Sequence, residues 1–91
     1  MPYIPKKDRA KYQSLLNELA GLVPKEHQSR AGNINYIVSL LLSKVYGEEI
    51  RYADHNEIIG VLTCIKDEFY RRYTAPYEDK KILSEGDLKD L

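Results

Sequence analysis

Tryptophan is missing from this chain of 91 residues, and phenylalanine and cysteine occur once each. With Cys64 alone no internal disulfide forms, and a lone thiol suits a reducing, cytoplasmic setting. Neither charge sign dominates: fourteen Lys and Arg balance fourteen Asp and Glu. That balance excludes the broad cationic surface on which duplex nucleic-acid binding depends. No apolar run approaches the ~20 residues that span a bilayer, so no membrane partner is expected. The opening Met1-Pro2-Tyr3-Ile4-Pro5-Lys6-Lys7 likewise lacks the apolar stretch of a secretory signal.

Catalytic and metal-binding patterns are equally scarce. His27 falls in a polar stretch and His55 near a helix start, with no His-x-x-x-His pair, paired cysteines or aspartate-rich calcium loop. Glu57 and Glu68 align on one helix edge, but carboxylate-bundle metal enzymes need further Glu or Glu-x-x-His ligands on facing helices. Here Glu68 is better placed to pair with Arg71 or Arg72 at i,i+3 or i,i+4. Cys64 sits among aliphatics rather than at a helix N-terminus beside cations, the setting of nucleophilic thiolates. No glycine-rich phosphate loop or nucleophile elbow is present. A non-catalytic protein without metal or cofactor is expected.

What is present is helical periodicity. The length allows one domain, 1–91, that buries roughly 60–65% of its unfolded surface, a thin core. Residues 1–6 read as an extended lead-in, since a residue before proline leaves helical geometry. Tyr12, Leu15, Leu16, Leu19 and Leu22 mark a first helix over about 7–22, closed by Gly21 and Pro24. A polar loop follows to Gly32, then a second helix over about 31–46, ended by Gly47. Its apolar set, from Ile34 through Leu40, Leu41 and Leu42 to Val45, covers most of the cylinder. So small a domain has little with which to cover such a helix, which argues for a homo-oligomer.

A third helix is expected from Asp54, with Asp54 and Glu57 spaced as a capping box. Its stripe is Ile58, Val61, Leu62, Ile65, Phe69 and Tyr73, beside a small-residue strip of Gly60 and Cys64. Tyr52 falls in the connection before it. Thr74 is placed to cap a fourth helix over about 75–83, with a kinked continuation through Pro76 as the alternative. Gly86 stops it, and 84–91 read as a frayed tail.

The stretch from Phe69 to Lys81 sets three tyrosines, two arginines and two lysines around Pro76. Arginine forks grip phosphate and tyrosines stack on bases. Arg71, Arg72, Tyr70, Tyr73, Tyr77, Lys80 and Lys81 are therefore the candidate ligand-binding residues, and a helix starting after Thr74 would add free amides as an anion site. The structural alternative pairs Arg71 with Asp67, Arg72 with Glu68, and Lys80 and Lys81 with Glu78 or solvent.

The opening Met1 to Pro5, Asn35-Tyr36, Asn56-Glu57 with Ile59-Gly60-Val61-Leu62, Tyr70-Arg71-Arg72, and Ala75 through Ile82 carry a resemblance. In these the chain resembles a family of small bacterial and phage proteins with no assigned activity. The resemblance implies a single helical unit and a phage-associated setting, hence anti-defence roles such as sequestering a nucleotide signal or blocking a host protein.

The resulting expectation is an all-α, compact bundle of three to four helices, assembled through helix two and the Gly60/Cys64 strip. It would capture a small phosphorylated, nucleotide-type ligand. The alternative is a protein–protein interaction module, an inhibitor or adaptor docking through an exposed apolar helix.

Overall fold

A computed structural model describes residues 3–89. The described chain is all-α, with three long helical stretches and a short 3-10 turn, and it divides into two units, Met1–Ile50 and Arg51–Leu91.

In the first unit Pro5 is extended (φ −56°, ψ 150°) and its carbonyl accepts the Asp8 N–H at 2.9 Å, which closes the 3-10 turn Lys6–Asp8. Helix α1 follows, Ala10–Leu22, slightly later than the periodicity predicts. Helix α2 spans His27–Tyr46 and starts before the predicted Ala31. The first turn carries only polar side chains (His27, Gln28, Ser29, Arg30), so an apolar periodicity is blind to it. It is held by Ser29 and Arg30 N–H groups on the Glu26 carbonyl, and by Asn33 Nδ2 donating to the Ser29 carbonyl at 2.7 Å. Gly47 at φ 82°, a conformation that favours glycine, ends α2.

In the second unit α3 spans Tyr52–Phe69, so Tyr52 opens the helix rather than linking two. Asp54 is its third residue rather than its cap: Asp54 Oδ2 accepts the Arg51 N–H at 3.1 Å. Glu57 lies a turn further in and takes no part in that contact. The helix does not stop at Thr74, whose backbone is helical (φ −75°, ψ −46°) and whose side chain makes no cap. Instead α3 runs through a single wide π turn, Tyr70–Thr74, into α4, Ala75–Glu85, the continuous alternative. Pro76 supplies the reason. It has no N–H for the Arg72 carbonyl, and its ring would press on that carbonyl in an α-helix. The wide turn moves the strain aside, and the Ala75 N–H bonds the Tyr70 carbonyl five residues back. Eighteen residues of α3, five of the turn and 11 of α4 form one rod, roughly 50 Å long at 1.5 Å per residue. Gly86, at φ 95°, ends it, so Ser84 and Glu85 are helical; Asp90 and Leu91 of the predicted tail and Met1 and Pro2 of the lead-in lie outside the described residues.

Among the described residues none is buried. The aliphatics Val23, Ile37, Val38, Leu42, Ile50, Ile58 and Leu62 are half-buried. No helix among the described residues is long and apolar enough to cross a membrane.

Candidate functional site

The π turn organises the charged and aromatic residues that the sequence singles out. Glu68 precedes it by two residues, and one oxygen, Oε1, accepts both Arg71 Nη2 at 2.7 Å and Arg72 Nε. Arg71 thus turns to Glu68 rather than Asp67, whose neighbour is Lys66 at 3.7 Å. Desolvation pushes the Glu68 carboxyl up, but the hydrogen bond from Arg72 and the charge and hydrogen bond of Arg71 outweigh it. Glu68 therefore titrates below the ordinary glutamate range. The side chain of Glu68 is only 19% exposed, while Arg71 and Arg72 remain open on their outer sides.

Tyr70 reaches across the turn, and its hydroxyl donates to Glu78 Oε1. That hydrogen bond, and next the Glu78 charge, hold the phenol above its usual pKa. Tyr73 stacks on Phe69 with ring centroids 4.8 Å apart, and Lys81 Nζ lies 5.8 Å from the Tyr77 ring centre. Lys80 forms no ion pair among the described residues.

The turn also sets the register of the rod. Ile58, Leu62, Ile65 and Phe69 follow one face at four- and three-residue steps. Tyr73, four residues beyond Phe69, continues the stripe as its spacing predicts, and it stacks on Phe69. Tyr77, eight residues beyond Phe69, would lie about 80° off that face in an unbroken α-helix, and the extra residue taken in by the wide turn brings it back toward the stripe.

Each unit has an open concavity of its own among the described residues. One, about 600 Å³, is lined by Tyr70, Ala75, Tyr77 and Ile82, by Gly86 and Leu88 beyond the helix end, and by charged Glu78, Asp79, Lys81, Glu85 and Asp87. Four carboxylates face one ammonium there. Of the predicted ligand-binding residues Tyr70, Tyr77 and Lys81 line it, whereas Arg71, Arg72, Tyr73 and Lys80 do not. The other, about 460 Å³, is formed by Tyr3, Ile4, Arg9, Tyr12, Gln13 and Leu16. There Arg9 Nε donates to the Ile4 carbonyl at 3.0 Å and folds the lead-in against α1.

The most extensive feature is apolar. On α1, Leu15, Leu16 and Leu22 are exposed; on α2, Ile34, Leu41 and Val45; on α3, Ile59, Val61, Ile65 and Phe69. Val45 and Leu22, at 70% and 75% exposure, have almost the accessibility of an unfolded chain. Cys64 is exposed, and a Cβ added at Gly60 would meet nothing within 4 Å among the described residues. The small-residue strip of α3 is therefore open to an approaching helix.

The chain is thus an all-α fold with leucine, isoleucine and valine stripes exposed on its helices, surface of the kind on which protein interfaces form. The chain belongs to a family described as a domain of unknown function, DUF6899, whose model matches residues 1–88. No curated protein and no solved structure matches it.

Proposed function

We propose that this protein is a non-catalytic interaction module that works in the cytoplasm. It docks through the exposed apolar faces of its helices, on further copies of itself and on a target protein that it inhibits or links to another. One observation carries the reading: large aliphatic side chains stand exposed along α1, α2 and α3, while none is buried among the described residues. Scattered exposed leucines are ordinary, but continuous stripes mark interfaces. Covering one Leu or Ile side chain contributes ~1.5–3 kcal/mol. The 13-residue α1 lies in the length range where an isolated helix is marginal in water. Helices of either length draw most of their stability from packing an apolar face, which α1 and the 20-residue α2 leave exposed. In this reading the single bundled domain forms on association, through α2 and the Gly60/Cys64 strip. A host enzyme is the target class that the phage resemblance suggests.

Capture of a phosphorylated ligand through Arg71, Arg72, Lys80, Lys81 and the three tyrosines is the second reading. The outward-facing guanidinium groups and the open Tyr73 ring favour it. Glu68 already pairs with both arginines and offsets one of their two charges, and four carboxylates beside Tyr70 and Tyr77 repel phosphate, so it ranks below the first.

Circular dichroism and sedimentation over a wide concentration range test the proposal. Helical content and mass are expected to rise together with concentration, as for coupled folding and association. A fully helical monomer at every concentration would remove it. Thermal-shift screening with nucleotides addresses the second reading: a shift lost in Arg71→Ala plus Arg72→Ala would promote it, and a flat screen would retire it.

A further inference from the structure

The two ends of the described chain carry opposite local charge, and each end has a shape suited to the other. At the C-terminal end Gly86 turns the backbone out of α4, so Asp87 and Leu88 form a wall facing Tyr77 and Ile82. The resulting groove has an apolar floor and an acidic rim of Asp79, Glu85, Asp87 and the Tyr70-bound Glu78. Lys81 is its only cation, and that ammonium already sits beside the Tyr77 ring. Asp79 and Glu85 meet no cation within ion-pair distance among the described residues. At about 600 Å³ the groove takes a few side chains of a docked segment, not a helix.

At the other end the segment 3–11 presents Lys6, Lys7, Arg9 and Lys11 against a single carboxylate, Asp8. Lys6 and Lys7 are exposed, and so are the apolar Tyr3 and Ile4 that precede them. Tyr3 and Ile4 lie beside the 3-10 turn, held near α1 by the Arg9 hydrogen bond to the Ile4 carbonyl, with their side chains still about half exposed.

We infer that the N-terminal segment of one molecule docks in the acidic groove of a second copy. Lys6 and Lys7 meet Asp79 and Glu85, and Tyr3 or Ile4 covers the floor at Ile82 and Leu88. This contact is separate from the apolar faces invoked above and differs from them in kind. It is heterologous: each molecule that docks its head leaves its own groove free, so assembly continues into a ring or a filament. It is also electrostatic, so salt weakens it, whereas burial of leucine stripes is insensitive to screening.

The test is sedimentation of four chains at about 0.05 M and about 0.5 M salt, conditions that shorten the screening length several-fold. Wild type is expected to show a self-association step at least about tenfold weaker at the higher salt. Lys6→Glu plus Lys7→Glu, and separately Asp79→Lys plus Glu85→Lys, each lose that step. Mixing these two variants one to one restores a salt-sensitive complex, because one supplies an intact groove and the other an intact head. A chain carrying all four reversals regains association with itself. Asp79→Asn plus Glu85→Gln, milder changes, lose the same step with helical content unchanged. Salt-independent sedimentation of wild type, or a mixture no larger than its separate components, overturns the inference. Either result leaves the concentration-dependent helicity attributed to the apolar faces untouched.

Discussion

The two units hold their helices by different means. In Arg51–Leu91 side chains tie the rod to itself: Glu68 gathers Arg71 and Arg72, Tyr70 spans the π turn to Glu78, and Phe69 stacks on Tyr73. All of these contacts join residues eight or fewer apart. In Met1–Ile50 the side-chain hydrogen bonds are single ones along one helix or its end, such as Arg9 on the Ile4 carbonyl, Lys25 Nζ on the Ala20 carbonyl at 2.6 Å and Ser39 Oγ on Asn35 Oδ1 at 3.2 Å, with no ion pair among the described residues. The midsections of α1 and α2 carry aliphatic stripes instead, and those stripes find no cover among the described residues. One unit is tied by side-chain contacts along its own rod; the other leaves the aliphatic faces of its helices exposed.

The comparison breaks most visibly in α2. Leu41→Asp plus Val45→Asp is expected to weaken self-association by ~10- to 100-fold per residue, from ~1.5–3 kcal/mol of burial lost at each. At fixed concentration helicity should fall mainly in the first unit. Sedimentation and amide exchange measure the two effects, and unchanged association would take α2 out of the interface.

Pro76→Ala is next in size and acts on the rod. It restores a backbone donor and relieves the clash that favours the wide turn, for a gain of up to ~3 kcal/mol in local helix stability. It also rotates Tyr77 off the stripe and breaks the Tyr70–Glu78 contact. Melting should rise while the Tyr70 titration returns toward that of an ordinary phenol, read by tyrosine absorbance. Gly60→Ala separates helix propensity from packing. The isolated helix gains ~1 kcal/mol. If a second helix seats on the Gly60/Cys64 strip, association weakens at the same time. A gain in both overturns the assignment of that strip as a contact.

The pH response is the smallest effect. The Glu68 carboxyl is lowered on folding, so the folded state binds its proton less readily than the unfolded chain. Its contribution is present above the unfolded glutamate pKa and is lost as pH falls through the lower folded value. Tyr70 runs the other way: its raised phenol contributes fully below the unfolded tyrosine value and is lost as pH rises through the folded one. Helicity of the second unit is thus expected to decline at both extremes, and Glu68→Gln should remove the acid limb only.

Much of the backbone was legible from spacing. The leucines of α1, the aliphatics of α2 and the Ile58-to-Phe69 stripe of α3 place three helices, and Gly47 and Gly86 mark their ends. Three boundaries were not. His27 to Arg30 are helical but wholly polar, so no apolar period reports them. Asp54 has the residue type of a cap but acts from the third position, because Arg51 supplies the extended residue before the helix. Thr74 before Pro76 matches a helix start, yet the rod persists because a wide turn accommodates the proline. In the candidate site the Glu68 pairing followed from i,i+3 and i,i+4 spacing, whereas the Tyr70–Glu78 bridge depends on the wide turn.

Residue order alone settled the fold class: period and breaker placement set helices, and a single cysteine excludes an internal disulfide. The three-dimensional arrangement decided the rest. It showed that the aliphatic stripes are exposed, that two arginines share one carboxylate, and that Tyr70 and Tyr77 border an acidic groove. Burial and charge pairing depend on which groups meet in space, and a one-residue change in helical register at the π turn alters those meetings without altering the order of residues.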